Sequence, residues 1–147
     1  TTLFRSVYQG ARRDADEIHN LICTAKSTIY IKPRELILNG TLVLDLKSNR
    51  IAIHYSVQDQ RREQRLFFQD VAITPLNRTG MKTYTFRVKA VHKFNSDTTG
   101  EMFSWLRLLQ PATENELTIN KIGPRAYLFS LNRQIYNFCT TSGGAKA

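Results

Sequence analysis

The sequence predicts an α+β fold: a β-rich, mostly antiparallel sheet with an N-terminal helix and a short helix near residues 100–109. Three observations carry this. From Ser27 onward, short runs alternate apolar and polar residues with the period of half-buried strands. Before them, Ala11, Ala15, Ile18, Ile22 and Ala25 recur at helical spacing. Later, the apolar run Met102–Leu109 follows Thr98-Thr-Gly-Glu101, which has the spacing of a capping box. A length of 147 residues suits one domain, 1–147, with an arm over 1–9 and a flexible tail over 140–147.

The first helix is expected near Asp14–Ala25, with Asp14 as cap and Glu17 as its reciprocal partner. Thr28–Arg34 reads as an edge strand or bend, because Pro33 cannot donate to a ladder. Leu36-Ile-Leu38, Asn39-Gly40 and Thr41-Leu-Val-Leu44 read as a tight hairpin, since Asn-Gly tolerates positive φ at both turn positions. Ile51, Ile53, Tyr55 and Val57 alternate with polar neighbours and predict a strand with one buried face. Gln58–Gln64 is a polar loop, Leu66–Thr74 a strand stopped by Pro75, and Tyr84–Phe94 the cleanest strand. Met102–Leu109 reads as the second helix, ended by Pro111, although so short an apolar run also fits a buried strand. Leu117–Ile122 and Ala126–Phe138 read as two further strands separated by Gly123-Pro124.

Charge narrows the function. The chain carries 21 Lys and Arg against 12 Asp and Glu, a formal net charge of +9. From Val71 to Ser96, and again from Leu117 to the end, there is no acidic residue. Such a surface draws an anionic partner: a lipid surface, nucleic acid or ribonucleoprotein. On the strand Tyr84–Phe94, Arg87, Lys89 and Lys93 are expected on the polar face, spaced to meet phosphates. Arg61, Arg62 and Arg65 form a second candidate, since loop arginines bind phosphate oxygens bidentately. Aromatics lie on the opposite face of that strand, which favours backbone or headgroup contact over base reading.

Signals for catalysis are missing. His19, His54 and His92 are far apart and form no metal-ligand pair. No Gly-rich phosphate loop or nucleophile elbow is present, and Asp14, Asp16 and Glu17 fit helix-start charge. The expectation is a non-enzymatic protein with no catalytic residues, no metal, no cofactor and no small-molecule substrate. No transmembrane segment is expected, and Thr1–Gly10 shows no signal-peptide core. Without a secretory signal, Asn39-Gly-Thr41 and Asn77-Arg-Thr79 read as chance matches to the glycosylation pattern. For Cys23 and Cys139, near opposite ends, a disulfide is compatible with the sequence but not implied by it, and two reduced thiols are the favoured reading.

Two resemblances add to this. Tyr84-Thr-Phe-Arg-Val-Lys-Ala90 with Glu101-Met-Phe-Ser-Trp-Leu-Arg-Leu-Leu109 resembles the end of a pleckstrin-homology domain, where a last strand enters an amphipathic helix with one Trp. That resemblance implies a phosphoinositide-binding module. In overall character the chain resembles small structural proteins of RNA viruses. The order Lys82–Phe94, an apolar turn of helix, Leu117–Ile122 and Ala126–Leu131 is similar to the C-terminal half of rhabdovirus matrix cores. This implies a matrix-type protein that self-associates into a homo-oligomer and binds anionic membrane or ribonucleoprotein. It would reside in the virion, the host cytoplasm and the inner membrane face. A third reading is a viral coat protein contacting packaged nucleic acid. Counting Met102–Leu109 as a strand gives about the eight that a jelly roll needs.

Overall fold

The structure is a computed structural model and describes residues 17–141. Strand β1 (Ile22–Ile31) buries Cys23 and Ala25 and exposes Ile22 and Lys26. That alternation sets its inner face. β2 (Leu36–Asp45), β3 (Arg50–Gln58) and β4 (Gln64–Ile73) follow as antiparallel neighbours. The two-residue β5 (Asn77–Arg78) pairs onto β6 (Thr83–Lys93). β7 (Glu114–Gly123), β8 (Ala126–Leu131) and β9 (Ile135–Thr140) continue the meander. β4 pairs with β6, and β9 returns to β1, so eight strands close into a barrel in chain order. Closure removes the exposed sheet edges that an open sheet would present.

This all-β barrel corrects the α+β expectation. Among the described residues the N-terminal helix is one turn, Glu17–His19; Asp14, Ala15 and Asp16 lie outside them. The helical stripe fails because residues 22–31 satisfy a period of two equally well, and all ten pair with β2, while β9 adds one pair at Thr24. The second helix is likewise absent. Residues 101–105 are turns, followed by a 3-10 turn, Arg107–Leu109. Thr98 does not cap a helix: its hydroxyl accepts from the Leu66 backbone N–H of β4.

Two turn expectations also change. Asn39-Gly40 is not a hairpin but the middle of β2, paired to β1 and β3 on either side. A turn does lie between β8 and β9, where Asn132 and Arg133 both take positive φ, 55° and 54°. No glycine marks it, so Ala126–Phe138 reads as one strand in the sequence. Cys23 and Cys139 are joined in a disulfide linking β1 to β9, not held as two thiols.

The inner faces supply one continuous core, including Leu44, Ile51, Val71, Val88, Leu117 and Phe129. One barrel end is plugged by Ile18 and Leu21, both buried. There Glu17 accepts from Lys121 at 2.7 Å and from the Tyr127 hydroxyl. These donors hold the Glu17 carboxyl below its usual pKa range. The other end collects the β1–β2, β3–β4 and β8–β9 turns and the long β6–β7 connection, which folds over it as a cap. No helix among the described residues is long and apolar enough to cross a membrane.

Candidate functional site

Beneath the cap lies an apolar cavity of about 460 Å³. Leu38 and Leu42 of β2, Ile53 and Tyr55 of β3 and Phe67 of β4 form its barrel wall. Phe103, Leu106 and Leu108 cover it from the cap, and Ile29, Ile31 and Ile135 complete it. Exposed Tyr30, Lys32 and Gln134 mark its mouth. An eight-stranded barrel has room inside for side chains or for one small ligand. Here the larger residues fill the lower half, and the upper half is left open.

The cap is fastened at three places. Phe103 stacks on Phe67 with ring centroids 4.3 Å apart. Arg34, in the β1–β2 turn, donates to the Met102 carbonyl at 3.0 Å and lies 5.4 Å over the Trp105 ring. Trp105 donates its own Nε1–H to the same carbonyl. The third fastening is Asp97, whose side chain is fully buried. Its carboxylate accepts from the Phe68 N–H, from Gln69, and from both the amide and the hydroxyl of Thr99. Burial alone raises the Asp97 pKa, but the Thr99, Gln69 and Phe68 donors outweigh it and hold the carboxyl below its ordinary value.

Asp97→Ala is therefore expected to destabilise the protein by about 3 kcal/mol, because hydrogen bonds to a charged group are worth about 1.5–3 kcal/mol each. The sign with pH follows from the lowered pKa. Stability from ionised Asp97 is fully present above the ordinary carboxylate range and is lost as pH falls through the depressed native value. Urea unfolding across acidic pH checks this: Asp97→Asn should show a shallower acid loss than the parent. An equal slope in the two proteins would remove Asp97 from this role.

The basic residues expected as a stripe do not share a face. Ile73 pairs with Val88 but Ala72 pairs with Ala90, so Lys89 sits in a β-bulge. The bulge reverses the alternation. Arg87 and Lys89 stay on the outer wall, exposed, with no ion pair to any described residue. Lys93 pairs with the buried Gln69 and turns under the cap, where its ammonium donates to the Gly100 carbonyl at 2.7 Å and lies 3.9 Å from Asp97. Arg61 and Arg62 are exposed in the β3–β4 turn, ordered by Asp59, which accepts from the Arg61 and Glu63 amides. Arg65 lies opposite the buried Val57, 3.6 Å from Glu63, with its Nε buried and donating to no described group. Arg34, Arg61 and Arg65 thus meet around a small polar recess with Asp59 and Glu63, apart from Arg87 and Lys89.

Sequence reasoning missed the cavity residues. Each looks like an ordinary core position, and only closure of the barrel shows that the space between them is unfilled. Among the described residues, no group of three His, Cys, Asp or Glu side chains is placed to hold a metal. Comparison with known proteins gives no match to any family model, curated protein or solved structure, so the reading of this site rests on its geometry.

Proposed function

We propose that this barrel binds one small, largely apolar molecule beneath its cap and holds it without changing it chemically. The observation that supports this is the apolar cavity of about 460 Å³ opening at Tyr30 and Lys32. Its size falls within the range of about 300–1,000 Å³ typical of small-molecule sites, and its lining is mostly hydrophobic with few polar groups. Burial raises the pKa of the Tyr55 phenol, so the wall stays neutral there. The cap offers a route of entry, being held by a few polar contacts over one stacked ring pair.

The single tryptophan, Trp105, lies at the cavity and reports occupancy directly. Titration with the neutral dye N-phenyl-1-naphthylamine should give saturable, blue-shifted emission at one dye per chain, with quenching of Trp105. Ile29→Phe with Ile135→Phe should weaken the dye at least tenfold while far-ultraviolet circular dichroism is retained. Absence of saturable binding to the folded parent sinks the reading.

A second reading keeps the contact with an anionic surface, as in the matrix-type, coat and phosphoinositide-binding expectations. It is supported by Arg87 and Lys89, both exposed on the outer wall and in no ion pair with a described residue, although Glu114 of β7 lies across from Arg87. Sedimentation with phosphatidylserine vesicles and with RNA tests it: Arg87→Glu with Lys89→Glu should reduce binding, and unchanged binding of both removes it.

A further inference from the structure

Resting on the cavity reading, we propose that the bound molecule is a single-chain amphiphile with an anionic head, the chain lying in the barrel and the head at Lys32. Lys32 is the one charged residue among those lining the cavity; no carboxylate does so. It is exposed and makes no ion pair with a described residue, so its ammonium is available at the mouth. Glu35 and Asp59 share the adjoining outer groove with Lys32 but do not reach the cavity. In the two rim turns, 32–36 and 58–65, five basic residues outnumber three acidic ones, so the mouth attracts an anion before contact. Inside, the one polar pair on the wall is already satisfied, with Ser27 Oγ and Tyr55 Oη 2.9 Å apart. A second charged or strongly polar group deep in the barrel would therefore meet no partner and be disfavoured. An apolar chamber with one cation at its entrance selects a chain with a head of opposite charge. The volume suits one chain better than the two of a phospholipid.

Competition against N-phenyl-1-naphthylamine tests this with three ligands of equal chain length: laurate, 1-dodecanol and dodecyltrimethylammonium. Laurate should displace the dye at least tenfold more tightly than the alcohol, and the ammonium most weakly. Lys32→Glu should abolish the preference for laurate and leave dodecanol unchanged. Equal displacement by all three ligands, or a laurate preference that survives Lys32→Glu, overturns the anionic head but not the cavity. If the parent binds no dye, the cavity reading itself fails, and this inference with it.

An independent observation concerns the outer wall. We infer that Asn39 and Asn77 are N-glycosylation sites. The Cys23–Cys139 disulfide points to folding in an oxidising compartment, where both Asn-X-Thr patterns gain meaning. Both asparagines are exposed, and neither side-chain amide nitrogen donates to a described group. A glycan at either site would project from the barrel without disturbing its core. In the transfer, Asn Nδ2 displaces polyprenyl pyrophosphate from the anomeric carbon of a lipid-linked oligosaccharide. A C–N bond forms, the sugar–phosphate bond breaks and one amide proton is lost. Protein secreted from animal cells should lose mass on peptide-N-glycosidase digestion, with Asn39 and Asn77 converted to Asp. Asn39→Gln and Asn77→Gln should each remove one glycan. Peptide maps with both asparagines unmodified overturn the assignment.

Discussion

Replacing Cys23 and Cys139 together by alanine is expected to lower stability by about 4–5 kcal/mol, measured by urea unfolding. The residues are 116 apart in sequence, and cross-links closing loops of that length restrict the unfolded chain by about this much. The position adds to the effect. Elsewhere around the ring, neighbouring strands share between five and ten register pairs, as in β1 with β2 or β6 with β7. The seam between β1 and β9 has one, Thr24 with Thr140. The disulfide therefore lies where the barrel has its fewest ladder bonds. Its loss should open that seam first, so hydrogen exchange in the double variant should rise in β1 and β9 before β3 or β4. Reduction with dithiothreitol under partial denaturation should reproduce the same shift in midpoint. Identical midpoints for the reduced and oxidised protein would show that the strand ladder alone closes the barrel.

The strands themselves were legible where period-two alternation was unambiguous. Ile51, Ile53, Tyr55 and Val57 point inward as expected, and so do Tyr84, Phe86 and Val88. The failures have separate physical causes. Ile22 and Ala25 fit a helical stripe, but pairing with a distant partner, β2, made them strand, where one is exposed and the other buried. The Lys89 bulge depends on how β6 must bend to meet β4, which no local pattern encodes. It divides Arg87 and Lys89 from Lys93, so the charge was legible and its arrangement was not. Asn132-Arg133 forms a turn without the glycine that usually announces one. Cavity and disulfide both follow from closure, which joins the first strand to the last. Two cysteines near opposite ends of a chain do not reveal a shared wall.

Gly40→Ala is expected to be among the most damaging single changes, at about 3–4 kcal/mol or roughly 10 °C in thermal midpoint. A Cβ at Gly40 would lie 2.1 Å from the His54 carbonyl oxygen and 2.7 Å from the Tyr55 Cα. Both are backbone atoms of β3, so relief requires the strands to part. Gly40 lies between Ser27 on β1 and Tyr55 on β3 in one cross-strand row. The Tyr55 phenol reaches past the glycine to Ser27, at 2.9 Å. An added methyl group would push against this bridge, whose Tyr55 also lines the cavity. Dye affinity should therefore fall along with stability. Tyr55→Phe separates the two effects: it should cost about 1 kcal/mol, the worth of one neutral hydrogen bond, and keep the cavity closed. Gly80→Ala is the control, because the nearest atom to its Cβ is Thr83 Cβ at an ordinary 3.5 Å. If Gly40→Ala and Gly80→Ala unfolded at the same temperature, the glycine would be serving neither strand contact nor cavity, and the tight row across β1, β2 and β3 would have to be abandoned as the reason for its place in the strand.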